Sequence, residues 1–204
     1  MVFIAIAGGS GSGKTSVANL LFEAISETDY SCSNLCEDSY YHSLNETQLA
    51  NVADYNFDHP DAINHQQLQS HLELLQQGHA IEAPTYCYKT HQQLADTQTI
   101  HPVDVFILEG LHLLHREHLL PYFTETIFVD TPTDVRLDRR IGRDVVERKR
   151  TVESVTSQFY KTVEPSHKEF IQPSKKNANI VVDGTQPLAD FMPAIINQVM
   201  ARLD

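Results

Sequence analysis

The run Gly8-Gly9-Ser10-Gly11-Ser12-Gly13-Lys14-Thr15 carries the clearest chemistry in the chain. It fits G-x-x-x-x-G-K-[ST], and each residue type has a physical reason. Glycines let successive backbone N–H groups turn toward one centre without a Cβ clash, which makes an anion nest. A helix starting directly after them aims its positive end at the same anion. Lys14 brings a point charge to the β and γ phosphates of a bound nucleotide, and Thr15 brings a hydroxyl to Mg²⁺. A looser dinucleotide reading, Gly9-Ser10-Gly11 followed by Ser12-Gly13, puts the third glycine at the wrong spacing. The Lys14-Thr15 pair argues for a nucleoside triphosphate instead.

Two carboxylates are candidates to work beside this loop. Glu109, before Gly110, follows the apolar run 103–108. A carboxylate at such a strand end can hold Mg²⁺ directly or through water, facing Thr15. Asp38 follows a weaker apolar stretch, 30–36, which we expect beside the first strand of the sheet. A hydroxyl that attacks a γ-phosphate needs a proton acceptor within hydrogen-bond reach. An Asp with the ordinary pKa of ~3.9 is fully ionised at neutral pH, so Asp38 would orient the hydroxyl and accept its proton late. Glu37 is expected to point to the other side.

Charge is unevenly laid out. The 204 residues carry 15 Lys+Arg and 27 Asp+Glu, a formal charge of −12. A uniformly acidic surface excludes a general nucleic-acid coat and an anionic-membrane binder. From Thr15 to Tyr88 there is no Lys or Arg at all, whereas Arg136, Arg139, Arg140, Arg143, Arg148, Lys149 and Arg150 crowd together. Such a cluster either holds an anionic ligand or is a solvated helix laced with ion pairs, since Asp144 lies four residues after Arg140 and Glu147 four after Arg143. Arg136, Arg139, Arg140 and Arg143 share one helix face by spacing, and Arg148 and Arg150 follow where the helix should fray. We read 136–151 as a movable lid that excludes water and neutralises phosphoryl oxygens.

The elements that must position these groups follow from periodicity. Residues 2–7 form a continuous apolar run, expected to be a strand buried on both faces. A helix over 15–25 follows the glycines, with Val17, Leu20, Leu21, Ala24 and Ile25 at helical spacing. Residues 39–60 read as a long loop with short helical pieces. Asp61 is expected to cap a helix carrying Ile63, Leu68, Leu72 and Leu75 and closed by Gly78. An irregular hairpin is expected over 80–101 around Pro84, a short helix over 112–120, and a strand over 126–129. Pro132 suits the first turn of a helix to about Val146, and another helix covers 152–170. A last strand, 180–182, and a closing helix, 188–203, complete the chain. Strands alternating with helices give an α/β fold, an open, mostly parallel sheet with helices on both faces, and ligands at the carboxyl ends of the strands. No repeat or linker divides residues 1–204, so one domain is expected, with an insertion at about 39–101. The three cysteines, Cys32, Cys36 and Cys87, form neither a disulfide framework nor a zinc pattern and are expected as small buried side chains. No apolar run approaches the ~20 residues that span a bilayer, and the expected setting is cytoplasmic.

Together these stretches resemble the uridine kinase (uridine–cytidine kinase) family of P-loop kinases. The matching pieces are 8–15, then Asp38-Ser39-Tyr40-Tyr41, Asn56-Phe57-Asp58-His59-Pro60-Asp61-Ala62, Pro84-Thr85-Tyr86, Glu109-Gly110 and Asp130-Thr131. The arginine run 136–150 looks like that family's lid, and Tyr160, Glu164-Pro165, His167, Phe170 and Pro173-Ser174-Lys175-Lys176 resemble its tail. The resemblance implies a three-layer P-loop kinase fold, ATP or GTP as phosphate donor, Mg²⁺, a pyrimidine ribonucleoside as acceptor, and a homotetramer. It implies that Asp38 accepts the ribose 5′-hydroxyl proton and that Asp58 grips the ribose hydroxyls. Tyr41, Phe57 and Tyr86 would wall the base, with His91 at its edge. Arg140 and Arg143 would reach the acceptor with Gln158 beside them, and Arg148 and Arg150 the phosphates. Paired ribose hydroxyls do suit a carboxylate, and a flat base suits an aromatic wall. Cys87, Gly142 and Lys149 depart from the family pattern, where Asp, a large apolar residue and Gly are usual. Two alternatives stand beside this reading. One is a related kinase of the phosphoribulokinase, pantothenate or nicotinamide riboside type, although residues 39–91 hold only Lys89 as a cation for an anionic acceptor. The other is a nucleotide-binding regulator without turnover.

Overall fold

The first strand, β1 (Val2–Gly8), sends Phe3, Ala5 and Ala7 to one face and Ile4 and Ile6 to the other. All five are buried, as the apolar run requires of a strand covered on both sides. The computed structural model describes residues 1–203; Asp204, the last residue of the expected domain, lies outside the described residues. Helix α1 (Lys14–Ser26) follows the glycine loop, then β2 (Cys32–Cys36), a 3₁₀ turn Glu37–Tyr40, the short helix α2 (Glu46–Ala50) and α3 (His65–Gln76). Strands β3 (Ile81–Cys87) and β4 (Gln92–Ile100) pair as an antiparallel hairpin whose register shifts between Pro84 and Tyr86. Strands β5 (Val105–Gly110) and β6 (Glu125–Asp130), helices α4 (Thr133–Arg148) and α5 (Val152–Gln158), strand β7 (Ile180–Asp183) and helix α6 (Leu188–Met200) complete the chain.

The main sheet is five-stranded and parallel, in the order β2-β5-β1-β6-β7. Helices α1 and α6 cover one face through Val17, Leu21, Ile25, Ile195 and Val199, and α3 covers the other through Leu68, Leu72 and Leu75. This is the doubly wound α/β arrangement expected, with one correction. The strand that leads to Asp38 does not lie next to β1, because β5 is inserted between them. Cys36, Glu109 and Ile6 therefore stand abreast in one row across three strands. The phosphate loop opens two residues beyond that row, and Asp38 lies two residues beyond Cys36.

Several local expectations are corrected. Asn64, not Asp61, caps α3, its side chain accepting from the Gln67 N–H at 3.1 Å. Asp61 sits in the preceding 3₁₀ turn Pro60–Ala62 and takes Arg116 at 2.8 Å. Residues 112–119 form successive turns and no continuous helix, with the His115 and Arg116 N–H groups both on the His112 carbonyl, and a 3₁₀ turn follows at Leu120–Tyr122. The helix expected to end at Phe170 runs on to Asn177, widening into π turns at Phe159–Val163 and His167–Ile171. Each wide turn ends two residues before a proline, Pro165 or Pro173. A proline has no N–H to give and its ring crowds the carbonyl four residues back, so the preceding turn opens. The cysteines are free and half-buried, not fully buried. No helix among the described residues is long and apolar enough to cross a membrane.

Gly110 closes β5 where any side chain would strike Glu37, since a Cβ there overlaps its carboxylate. Glu37 itself is locked between His65 Nε2 at 2.8 Å and the His112 N–H at 2.9 Å, so it cannot swing away. Gly110→Ala is therefore expected to cost about 1–3 kcal/mol of stability, as overpacking does. Urea unfolding of the variant beside the wild type measures it.

Candidate active site

The carboxyl ends of β2, β5 and β1 meet in one cleft. Gly11, with φ +80°, lets the loop run tight against α4, since a Cβ there would enter the Arg136 carbonyl. Lys14, the first residue of α1, places its Nζ 3.8 Å from Glu109 Oε2. That carboxylate oxygen is buried and takes no hydrogen bond among the described residues, and the other accepts from the Cys36 thiol at 3.3 Å. Thr15 follows Lys14 at the exposed start of α1. The charge of Lys14 acts on both Asp38 and Asp58. The cradle and the two expected acceptor carboxylates thus share one cleft.

Asp38 lies in the 3₁₀ turn just past β2, not in the strand itself. The expectation of an ordinary carboxylate pKa is corrected. Burial in the cleft, reinforced by the Glu109 and Glu37 charges, pushes Asp38 up to about 6 against the opposing pull of Lys14 and a hydrogen bond from Tyr88. Glu37 points elsewhere, as expected. Burial raises its pKa, but the hydrogen bond and charge of His65 and the His112 contacts hold it below its ordinary value. Asp58 is 4 % exposed, and its carboxylate takes no hydrogen bond from any described residue. Burial raises its pKa, and Arg140, Lys14 and Arg143 pull the other way. A deep carboxylate left without a donor suits a ligand that brings hydroxyl groups.

An aromatic cluster adjoins Asp38. The Tyr41 ring lies 5.3 Å from Tyr86 and 6.1 Å from Phe57, and Phe57 stacks on His91 at 4.8 Å. The hydroxyl of Tyr86 and Nδ1 of His91 are both buried without a hydrogen-bond partner among the described residues. His91 holds φ +54°, a strained conformation for a residue with a side chain. The four residues expected around a base are together, with two polar atoms left open.

The arginines divide in a way their spacing did not show. Arg136 and Arg140 are buried, whereas Arg139 is exposed and donates to the Ser12 carbonyl at 3.1 Å. Arg136 pairs with Glu164 at 2.5 Å and with the Thr131 carbonyl. Arg140, expected at the acceptor, donates to Ser10 Oγ in the phosphate loop at 2.6 Å and to Gln158 at 3.1 Å. Arg148, expected on the phosphates, lies over the Tyr88 ring on the acceptor side, 5.1 Å from its centre. Arg150 donates to Gln158 at 2.6 Å. Asp144, fully buried, is the common counter-ion, with Arg143 at 2.9 Å, Arg150 at 3.4 Å, and Arg140 and Arg148 both at 3.7 Å. Lys149 ends α4 at φ +56°, the left-handed region that glycine enters freely.

Sequence reasoning missed three groups. Tyr88 follows Tyr86 by two residues, and the period of a strand was the signal that both share a face. Asp144 was noted as one partner of Arg140 and not as the hub of four. A cavity of about 260 Å³ beside the phosphate loop, lined by Ser12, Gly13, Arg139, Gly184, Gln186 and Phe191, gave no local signal.

The chain was compared with known proteins. The model of the phosphoribulokinase/uridine kinase family matches residues 3–188. A uridine kinase of Shewanella amazonensis is 40 % identical over 207 residues, covering 98 % of this chain and 97 % of that protein. A uridine kinase-like protein 5 of Arabidopsis thaliana is 44 % identical over 179 residues, 88 % of this chain, and this chain spans 38 % of that longer protein. The solved phosphoribulokinase of Rhodobacter spheroides superposes with a TM-score of 0.66 at 16 % identity, covering 91 % of this chain and 73 % of that one, a likeness of fold.

Asp144→Asn would leave four guanidinium groups without their shared anion, the buried Arg140 among them. Such a loss is expected to cost about 2–3 kcal/mol of stability. Thermal unfolding of the variant at low and high salt measures it, and the deficit should persist in salt because the carboxylate is buried.

Proposed function

The chain belongs to the phosphoribulokinase/uridine kinase family, and on that footing we propose that it moves the γ-phosphoryl group of ATP or GTP to the 5′-hydroxyl of a pyrimidine ribonucleoside, uridine or cytidine. One observation carries this reading. Asp38 stands between the cradle that holds Lys14 and a cluster that holds an unpartnered carboxylate, Asp58, and four ring side chains. A triphosphate fits the first half and a neutral ribonucleoside the second.

In this reading Gly8, Gly9, Ser10, Gly11, Ser12 and Gly13 cradle the phosphates through backbone amides, and Lys14 holds the β and γ groups. The donor base enters the cavity beside Arg139 and Gln186. Thr15 and Glu109 would hold Mg²⁺, and the buried, unbonded Glu109 Oε2 fits a cation there. When bound, Mg²⁺ neutralises the developing phosphate charge. Among the described residues no three His, Cys, Asp or Glu cluster to hold a metal unaided, as suits an ion carried mainly by phosphates and water. Asp58 takes the ribose hydroxyls, Tyr41, Phe57 and Tyr86 flank the base, and His91 meets its edge. Asp38 orients the 5′-hydroxyl and accepts its proton as the bond to phosphorus forms. Arg140, Arg143, Arg148 and Arg150, set by Asp144 and Gln158, close over the transferring group and exclude water.

Incubation with Mg-ATP and a panel of nucleosides, sugar phosphates and pantothenate tests the acceptor. Monophosphates of uridine and cytidine are expected, and their absence rejects the reading. Asp38→Asn should lower kcat by at least ~10² with the nucleoside KM largely kept, the usual worth of a general base. The pH profile gives an independent check. Asp38 is raised to about 6, so it carries its proton below that pH and is ionised above it. A base works only when ionised, so kcat/KM should fall about tenfold per pH unit below about 6 and level off above it. A profile flat through that range would mean another group takes the proton.

A further inference from the structure

The hydroxyl of Tyr88 donates to Asp38 Oδ2 at 3.0 Å, and the transfer reaction described above gives this contact no role. Tyr88 opens the turn that joins β3 to β4, and His91 closes it through its N–H to the Cys87 carbonyl at 2.8 Å. The Tyr88 ring meets Tyr86 edge-on at 5.5 Å. Its other side carries the Arg148 guanidinium, whose remaining partner is Asp144 at 3.7 Å. Tyr88 is 46 % exposed, so the core does not need it. One side chain thus touches the expected base, the aromatic cluster and the arginine helix.

Resting on the nucleoside-kinase reading, we propose that Tyr88 is a positioning residue that caps Asp38 while the acceptor site is empty and yields to the incoming 5′-hydroxyl. The cap guards against a specific side reaction. Water at Asp38 would attack the γ-phosphorus, the bond from that phosphorus to the β–γ bridging oxygen would break, and the nucleoside diphosphate and inorganic phosphate would leave. The proton of the water would pass to Asp38. A phenol bonded to the carboxylate occupies the oxygen that water must use, and a hydrogen bond to a charged acceptor is among the stronger ones. Burial and the nearby Asp38 charge raise the Tyr88 pKa, so the phenol keeps the proton it donates. The same displacement has a second effect. An acceptor that pushes Tyr88 aside also removes the ring under Arg148, which frees that cation for the phosphoryl oxygens when both substrates are present. The arginine is thereby set by acceptor arrival rather than by nucleotide alone.

The test compares Tyr88→Phe and Tyr88→Leu with the wild type in two assays: ATP hydrolysis without acceptor, and transfer to uridine with kcat and KM separated. Tyr88→Phe keeps the ring and loses only the donor. It is expected to raise acceptor-free hydrolysis on the order of tenfold and to lower the uridine KM severalfold, since no hydroxyl competes for Asp38. A merely structural side chain would raise KM or lower kcat without adding hydrolysis. Tyr88→Leu should hydrolyse at least as fast as the Phe variant. Hydrolysis by Tyr88→Phe at the wild-type rate overturns the proposal, and so does a rise confined to Tyr88→Leu, which would make the ring and not the hydroxyl the guard. Wild-type protein that phosphorylates no nucleoside fails the kinase reading and this proposal with it, whereas normal transfer with an unchanged hydrolysis rate fails the role of Tyr88 alone.

Discussion

Like charge crowded at the carboxyl edge of a parallel sheet is the constraint on which the rest of this site depends. Because β5 lies between β1 and β2, Glu109 stands abreast of Cys36, and Asp38 follows one turn later. Glu37 precedes it. Three carboxylates in so small a volume repel one another and lose water, and both effects favour protonation. The fold answers each one differently. Glu37 is consumed by His65 and the His112 amide and becomes part of the frame. Glu109 faces Lys14 and the Cys36 thiol, and one oxygen is left over. Among the described residues Asp38 is left with only a tyrosine hydroxyl within hydrogen-bond reach of its carboxylate, and its pKa rises to about 6. The crowding that would merely destabilise a structural carboxylate places this one near the working pH of a general base.

Positive charge is stored on the other side of the cleft, and Asp144 is its store. Four arginines surround one buried carboxylate at distances from 2.9 to 3.7 Å. Arg143 puts Nε and Nη2 on one oxygen of Asp144, both at 2.9 Å, whereas Arg140 and Arg148 stand at 3.7 Å and are held less closely. Arg140 already reaches Ser10 of the phosphate loop, while Arg148 lies on the acceptor side over Tyr88. One helix therefore spans both halves of the cleft. Arg136 is a different case, since its pair with Glu164 is fully buried and ties α4 to the π-turn helix. It belongs to the frame, and the even spacing of 136, 139, 140 and 143 concealed the division. The ion pairs with Asp144 fix where these guanidinium groups stand.

The sequence was most legible where backbone physics leaves few choices. Glycines before Lys14, an apolar run before the glycines and an amphipathic helix after them fixed the cradle and its strand. The hairpin around Pro84 and the left-handed Gly78 beyond α3 were equally direct. Legibility failed where partners are remote in the chain. Strand order is set by which edges meet in three dimensions, so the insertion of β5 had no local signal. The cap of α3 passed from Asp61 to Asn64 because Arg116, 55 residues away, claims the aspartate. The raised pKa of Asp38 comes first from burial and then from the charge of Glu109, 71 residues later by their numbers in the chain.

The uneven charge of the chain then acquires a physical meaning. The stretch from Thr15 to Tyr88 carries no Lys or Arg of its own, and the cations that act on Asp38 and Asp58 come from Lys14 and the arginine helix. An anionic acceptor would have to leave water beside Asp38, Asp58 and aromatic rings, whose own stretch of chain brings no cation. A neutral acceptor with hydroxyl groups pays no such penalty and satisfies Asp58, which otherwise lies buried without a donor. A triphosphate meets the opposite terms: backbone amides, Lys14 and the arginines lie on its side. Selection by charge thus requires no specific recognition of either ligand. It follows from a chain that brings Asp38, Asp58 and aromatic rings from one stretch and its cations from Lys14 and the arginine helix, with Asp38 and Lys14 where the two meet.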